Sequence, residues 1–213
     1  METKDLKIVF LGPPTSGKGT QAEVVAQELN LIHISTGEIF RKHVAEKTEL
    51  GLQVKELIEN GRLVADDLTN EVVENKLVDI RNGFILDGYP RSVAQAIALD
   101  EMTQITHAFF IKISDDEVIR RVANRRVCSV CGKLHTVSPK DTTEDKNICR
   151  ECGGQLELRS DDTEKVMRQR LQEYHEITEP MVEFYRQEKV LVEINGEQPV
   201  EKITQEILTE IKK

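Results

Sequence analysis

The chain has 213 residues, of which 31% are charged and 38% are apolar, and its formal net charge is −9. This length can bury a core as one domain with insertions or as two small domains. The acidic balance argues against a nucleic-acid coat, and no apolar run is long enough to span a bilayer. Because the N-terminal segment is polar and charged, we expect no secretory signal and a cytoplasmic location.

A glycine-rich segment follows the first predicted strand. The apolar run 6–11 predicts a buried strand and residues 21–29 predict a helix. Between them the chain reads Gly12, Pro13, Pro14, Thr15, Ser16, Gly17, Lys18, Gly19 and Thr20. The backbone N–H groups of such a turn bind phosphate together with the helix N-terminus, and Lys18 supplies positive charge for the outer phosphates. The segment therefore predicts a P-loop, with its hydroxyl at Thr20, after Gly19, rather than directly after the lysine.

Strands and helices alternate along the rest of the chain. Short apolar runs predict strands at 7–11, 83–86, 108–113 and 190–194. Helical spacing predicts helices at 67–80, 92–99, 115–122, 163–187 and 200–211. This alternation predicts a parallel sheet with helices on both faces and a ligand at the carboxyl ends of the strands. Residues 35–64 and 125–162 interrupt the alternation, so we interpret both as insertions over the strand ends.

All four cysteines lie in the second insertion, residues 125–162, as two Cys-x2-Cys pairs separated by 17 residues: Cys128, Cys131, Cys149 and Cys152. In a reducing compartment this spacing predicts a tetrahedral thiolate site for a metal, most typically zinc. Four protein ligands leave no open position, so the metal would be structural; His135 could also ligate it, but the cysteines complete the set. The alternative is two disulfides.

A zinc ribbon could also bind nucleic acid. Residues 125–162 contain seven Lys/Arg, seven Asp/Glu and no Phe, Tyr or Trp. Without net positive charge or stacking residues, nucleic-acid binding is disfavoured.

Several further motifs occur in a fixed order. They are the P-loop, Ser35-Thr36-Gly37-Glu38-Ile39-Phe40-Arg41, Gly61-Arg62-Leu63-Val64, Gly83-Phe84-Ile85-Leu86-Asp87-Gly88-Tyr89-Pro90-Arg91 with Gln95, the group Arg121, Arg125 and Arg126, and Arg159-x-Asp161-Asp162 with Arg170. Together they resemble the adenylate kinase family, in the long form with a zinc-bearing lid, over nearly the whole chain.

The resemblance implies an α/β fold: a P-loop parallel five-stranded sheet flanked by helices, with a helical insert at 35–64 that binds the nucleoside monophosphate (NMP) and a zinc-bearing lid at 125–162. We call these two insertions the NMP segment and the lid segment. The core would then comprise 1–34, 65–124 and 163–213. The implied activity is Mg²⁺-dependent transfer of the terminal phosphoryl group of ATP to AMP, giving two ADP. The implied cofactors are Mg²⁺ with ATP and a structural Zn²⁺, and relatives of this kind are mostly monomers.

The resemblance also implies roles for individual residues. Contacts to ATP would come from Thr15, Ser16, Gly17, Lys18, Gly19, Thr20, Arg121, Arg125, Leu134 and Gln198. Contacts to AMP would come from Thr36, Arg41, Arg62, Leu63, Val64, Gly88, Tyr89, Pro90, Arg91, Gln95, Arg159 and Arg170. The catalytic set would be Lys18, Asp87, Arg91, Arg125, Arg159 and Arg170, with Asp87 orienting Mg²⁺ through its water shell.

The chemistry of phosphoryl transfer agrees with these residue types. The acceptor phosphate is already ionised, so no general base is needed, and in-line positioning with positive charge supplies the catalysis. Alternatives are a UMP/CMP kinase, in which an Ala commonly stands where this chain has Thr36, and a GTPase-like switch, whose Asn-Lys-x-Asp motif is absent.

Four positions depart from the family pattern. Thr15 stands where Gly is usual, and a β-branched residue there predicts a strained loop. Glu38, Ala65 and Leu134 replace the usual Asp, Pro and aromatic residue.

Overall fold

The computed structural model describes residues 3–138, 140–142, 146–159 and 161–213. Its strands in chain order are β1 (Lys7–Leu11), β2 (Ile32–Ser35), β3 (Phe84–Asp87), β4 (His107–Lys112), β5 (Arg125–Cys128), β6 (Leu134–Thr136), β7 (Leu156–Glu157) and β8 (Leu191–Asn195). Its α-helices are α1 (Lys18–Leu29), α2 (Thr36–Ala45), α3 (Glu49–Glu59), α4 (Asp66–Leu77), α5 (Val93–Met102), α6 (Asp115–Asn124), α7 (Glu164–Glu173), α8 (Pro180–Gln187) and α9 (Val200–Ile211).

The central sheet has five parallel strands in the order β2-β3-β1-β4-β8, which confirms the predicted fold class. Successive side chains of β1 point to opposite faces of the sheet, so they pack into two separate hydrophobic cores. Ile8 and Phe10 pack with α1 and α9, whereas Val9 and Leu11 pack with α4, α5 and α8. Both faces are therefore covered, and the carboxyl ends of the strands meet at one edge of the sheet.

The edge strand β2 is absent from the strands predicted by apolar runs. Its sequence, Ile32-His33-Ile34-Ser35, alternates apolar and polar residues, and Ile32 is 40% exposed. Half-buried strands at a sheet edge show this alternation rather than a continuous run. The family resemblance supplied the fifth strand, and its presence is confirmed.

The single helix predicted at 163–187 is wrong. The segment divides into α7, a π-helical turn at Tyr174–Thr178, and α8, whose first residue is Pro180. A proline cannot continue the hydrogen-bond ladder of the preceding turn but fits the first position of a new helix. The Glu179 N–H accordingly donates to Tyr174 O at 2.7 Å, closing a wider turn.

The two inserted segments carry their own local structure. In the lid segment, β5 lies between β6 and β7 in an antiparallel sheet. In the NMP segment, α2 and α3 pack closely, and α3 begins where Thr48 Oγ1 accepts the Gly51 N–H at 3.1 Å. Within the described ranges, every helix is too short or too polar to cross a bilayer.

Candidate active site

The P-loop lies at the carboxyl end of β1, against the N-terminus of α1. Gly12 has φ +139°, and a Cβ there would lie 2.4 Å from Ile111 O, so only glycine allows this approach to β4. Gly17 has φ +97° and immediately precedes Lys18, the first residue of α1. The loop therefore presents a helix N-terminus of the kind that binds phosphate.

Lys18 is folded over this loop. Its Nζ donates to Gly12 O and Pro13 O, both at 2.7 Å, and to Ser16 Oγ at 3.3 Å. Burial lowers the pKa of Lys18 to about 8; Asp87 opposes this shift, and Arg91 and Arg125 add to it. The ammonium therefore lies within electrostatic reach of one carboxylate and two guanidinium groups.

Thr15 adopts the left-handed conformation, with φ +58°. This is unfavourable for a β-branched residue, as the sequence predicted. Its Oγ1 donates to Val118 O on α6 at 3.2 Å, and its carbonyl accepts from Arg121 NH1 at 3.3 Å. Two hydrogen bonds to α6 thus hold Thr15 in this conformation.

Arg121 braces the loop from outside. Its NH1 also donates to Ser16 O at 3.3 Å, its NH2 to Gly196 O at 2.7 Å, and its Nε to Glu117 at 2.6 Å. These bonds join the P-loop to the segment after β8. Sequence reasoning missed Glu117, although an acidic residue four positions before an arginine on a helix is a recognisable signal.

Asp87 ends β3 beside the P-loop. Its Oδ2 accepts from Ser35 Oγ at 3.2 Å, and a Cβ on Gly19 would lie 3.2 Å from the same oxygen. A carboxylate in this place, next to the loop and Lys18, can hold the water shell of a magnesium ion.

Two neighbouring aspartates hold the lid arginines. Arg125 donates to Asp162 through Nε at 2.6 Å and through NH2. Arg159 makes a bidentate pair with Asp161 at 2.8 and 3.0 Å, and Arg170 on α7 donates to the same carboxylate. Burial would raise the pKa of Asp161, but the hydrogen bonds and charges of Arg159 and Arg170 outweigh it and hold that pKa well below its usual range.

The NMP segment and β3 bring two further arginines to this cluster. Arg41 lies over Gly37, whose added Cβ would be 3.0 Å from the Arg41 guanidinium. Burial lowers the pKa of Arg41 to about 10, and the positive charges of Arg159 and Arg170 add to the shift. Arg91 is exposed and donates through Nε to Gly88 O at 2.7 Å. The predicted cationic residues therefore come together from five parts of the chain: Lys18, Arg41, Arg91, Arg125, Arg159 and Arg170.

Thr36 and Gln95, two of the residues predicted to read the AMP base, both bond the segment from Gly88 to Arg91. Thr36 Oγ1 donates to Gly88 O at 2.8 Å, and Gly88 has φ +76° between Thr36 and Arg91. Gln95 is 2% exposed, and its Oε1 accepts the Arg91 N–H at 2.7 Å. Arg62, Leu63 and Val64 follow α3, and the Leu63 N–H points to Glu173 on α7 at 3.4 Å.

Three residues predicted to contact a nucleotide either bond to other protein groups or are exposed. The Tyr89 side chain is fully buried, with its hydroxyl donating to Asn70 Oδ1 at 2.7 Å and lying 3.2 Å from Gln95 O, so only its backbone can serve a ligand. Gln198 donates through Nε2 to Asn195 O and to Glu206. Leu134 is 47% exposed on β6. Their predicted roles stay predictions.

The four cysteine sulfurs lie within 4.8 Å of one another. Cys128 and Cys152 are 3.5 Å apart and Cys131 and Cys149 are 3.7 Å apart, so all four thiols are free and the disulfide alternative is wrong. Four sulfurs at ~2.3 Å from a tetrahedral zinc would be separated by about 3.8 Å. The arrangement therefore fits this metal.

Backbone and side-chain donors surround the sulfurs. The Cys131 and Val130 N–H groups lie 3.5 and 3.4 Å from Cys128 Sγ and lower the pKa of that thiol to about 6. His135 Nε2 lies 3.2 Å from Cys149 Sγ. A histidine N–H beside a sulfur would support the thiolate from outside the four-ligand set.

Comparison with known proteins agrees with this geometry. A family model described as adenylate kinase matches residues 10–190. The chain belongs to the adenylate kinase family. Proteins named adenylate kinase from Thermosipho africanus and Desulforudis audaxviator are each 44% identical to it, over 98% and 97% of this chain and 100% and 99% of theirs. One from Acetivibrio thermocellus is 43% identical, over 95% of this chain and 96% of its own length.

Family membership makes the chain a phosphotransferase acting between ATP, with Mg²⁺, and a nucleoside monophosphate. The UMP/CMP alternative is not favoured, because these relatives all carry the adenylate kinase name. The GTPase alternative likewise has no support among them. Sequence analysis did not single out Asp66, whose Oδ1 accepts from Gln95 Nε2 at 2.7 Å, because acidic residues are common in the first turn of a helix.

Lys18 predicts a pH dependence of ATP binding. As the pH rises through about 8 the unliganded enzyme loses the Lys18 proton, whereas bound phosphates favour the charged form. Binding must then take up a proton, and the affinity for magnesium-bound ATP should fall by about 20-fold between about pH 7.5 and about pH 9.5. Calorimetric titration in two buffers of different ionisation enthalpy measures both quantities.

The control for this experiment is Lys18→Met. Its weaker binding should lack the pH dependence because no ammonium is present to titrate. A wild-type affinity that stays constant over this range, without proton uptake, would contradict the assignment.

Proposed function

We propose that this adenylate kinase transfers the terminal phosphoryl group of ATP to AMP, giving two ADP, by positioning and positive charge. The observation that supports this most is the convergence of one lysine and five arginines at the carboxyl edge of the sheet. The transferring group carries charge on three equatorial oxygens, and arginine forks match that geometry. The phosphate of AMP is already ionised, so the reaction needs no general base.

Each part of the cluster has its own task in this proposal. The P-loop amides and Lys18 hold the ATP phosphates, while Arg41 and Arg91 grip the AMP phosphate. Arg125 and Arg159 approach the transferring group from the lid segment, and Arg170 joins them from α7. Asp87 orients the water shell of Mg²⁺, the ion that neutralises the outer phosphates of ATP.

The two inserted segments act as closing covers over a core of residues 1–34, 65–124 and 163–213. For the NMP segment, the supporting observation is its close approach to the core: Gly61 packs so tightly against α7 that a Cβ there would lie 2.8 Å from Val166 O. For the lid segment, the supporting observation is that, besides burial, the charge of Arg159 lowers the pKa of Arg41, so this end of the lid lies close to the NMP segment. Closure excludes water, which would otherwise hydrolyse the phosphoryl donor.

The lid segment holds a structural zinc through Cys128, Cys131, Cys149 and Cys152. Zinc bound there supplies folding energy to a segment with little apolar core, because only Cys128, Cys149 and Leu156 form its described buried cluster. Four thiolates leave no coordination position for substrate. We also propose that the enzyme is a cytoplasmic monomer, as the sequence predicted, without nucleic-acid or membrane partners.

The substrate preference tests the proposed function directly. An assay that couples ADP formation to a second reaction, run with ATP, magnesium and each of AMP, CMP, UMP and GMP, should give the highest kcat/KM with AMP. Thr36 supports this expectation, because its hydroxyl bonds Gly88 and keeps lone pairs for an amino group of the base. Equal or higher activity with CMP or UMP would refute it.

Arg91→Ala should lower kcat by about 10²–10³ because one donor to the transition state is lost. Arg91→Lys should recover only part of the rate, since an ammonium cannot replace the planar fork. The same coupled assay measures both variants. Arg168→Ala is the matched control, because Arg168 is an exposed arginine on α7 whose guanidinium group pairs with Glu164. An unchanged kcat in Arg91→Ala would remove Arg91 from the catalytic set.

The purified enzyme should contain about one zinc per chain, and Cys149→Ser should reduce this content and the melting temperature. Elemental analysis and thermal unfolding measure the two effects. Val130→Ser, in the neighbouring Cys-x2-Cys turn and 73% exposed, is the control that should change neither. Activity at low temperature should largely survive chelation, and full zinc content in Cys149→Ser would contradict the four-cysteine cage.

A further inference from the structure

We propose that Asp66 is a specificity-determining residue that orients the Gln95 amide and thereby favours adenine over hypoxanthine in the monophosphate site. Asp66 is a positioning residue in this proposal, because it acts through Gln95. The inference rests on the proposed role of Gln95 in reading the AMP base.

The contacts of Asp66 join two elements of the site. Its Oδ1 accepts from Gln95 Nε2 at 2.7 Å, and its Oδ2 accepts from Ser92 Oγ at 2.8 Å. On the other side of the amide, Gln95 Oε1 accepts the Arg91 N–H at 2.7 Å. The amide therefore lies between a carboxylate and a backbone donor, with Gln95 itself 2% exposed.

These two partners allow only one orientation of the amide. A carboxylate can only accept hydrogen bonds and a backbone N–H can only donate. A flipped amide would place Gln95 Oε1 against the carboxylate and Nε2 against the Arg91 N–H, losing both bonds and creating two repulsive contacts. The assignment of oxygen and nitrogen, which is often ambiguous for an amide, is thus fixed by chemistry here.

The fixed orientation has a consequence for the base. One N–H and one lone pair of the Gln95 amide remain after Asp66 and Arg91 have used the others. Adenine offers the matching edge, with an acceptor at N1 and an amino donor at C6. Hypoxanthine differs only by carrying N1–H and a carbonyl, so the same edge presents donor and acceptor reversed. A site with fixed polar groups rejects such a base because the groups are left mispaired.

The charge of Asp66 also lies at the N-terminus of α4, where any acidic residue is favourable. Substitutions must separate this effect from the hydrogen bond to Gln95. Asp66→Asn removes the charge but keeps a side-chain oxygen that can accept from Gln95 Nε2, while the new amide N–H can donate to Ser92 Oγ. Asp66→Ala removes both charge and acceptor. Asp67→Ala removes only a charge, from an exposed residue of the same turn.

The test is the ratio of kcat/KM for AMP to kcat/KM for IMP, with melting temperature and KM for ATP as checks on folding. We expect Asp66→Ala to lower this ratio by about tenfold, with Asp66→Asn and Asp67→Ala close to wild type. If Asp66→Ala does not fold, Asp66→Ser replaces it, since serine suits a helix start but is too short to hold Gln95.

Gln95→Ala separates failure of the inference from failure of the underlying role. A ratio that falls in Gln95→Ala but is unchanged in Asp66→Ala overturns the role of Asp66 and leaves that of Gln95 standing. No change in either variant overturns both. Equal loss in Asp66→Ala and Asp66→Asn also overturns the proposal, because the effect would then come from charge.

Discussion

Six cationic side chains must lie close together before any nucleotide is present to neutralise them: Lys18, Arg41, Arg91, Arg125, Arg159 and Arg170. Two like charges ~8 Å apart repel by about 2 kcal/mol at an effective dielectric constant of ~20. The fold must offset this repulsion, and it does so with buried or half-buried carboxylates. Asp161, Asp162 and Asp87 are placed so that each faces at least one member of the cluster.

Asp161 and Asp162 are adjacent in sequence but bind different arginines. Asp162 binds Arg125, so it ties the start of β5 to the turn before α7, the two ends of the lid segment. Asp161 binds Arg159 and Arg170, so it joins the lid to α7. Because these carboxylates are buried, each pair is only weakly screened by solvent. The same bonds that cancel charge therefore also aim the guanidinium groups, and a phosphate would compete with the carboxylates for them.

Much of this arrangement could be predicted from sequence, and the exceptions have physical causes. Local patterns located the P-loop, four of the five central strands and the cysteine cage, because spacing alone encodes these. The strand β2 was missed because the polar residues His33 and Ser35 alternate with isoleucines and interrupt the apolar run. The helix at 163–187 was predicted as one element because its apolar spacing continues past Pro180, where a new helix begins. Contacts such as Asp66 with Gln95 span 29 positions, and no local pattern records which acid faces which amide.

Thr15 illustrates how this site combines strain with support. A threonine at φ +58° costs about 1–2 kcal/mol relative to a relaxed backbone, and glycine would avoid that cost. Glycine, however, has no side chain to donate to Val118 O as the Thr15 hydroxyl does, and the same turn exposes the carbonyl that Arg121 binds. Each bond contributes on the order of 1 kcal/mol, so together they offset the strain. The loop is consequently anchored to α6, whose last residue, Asn124, precedes Arg125 and the lid. Through α6, the P-loop is therefore directly connected to the lid segment, the two parts of the chain to which we assign ATP phosphate binding and closure.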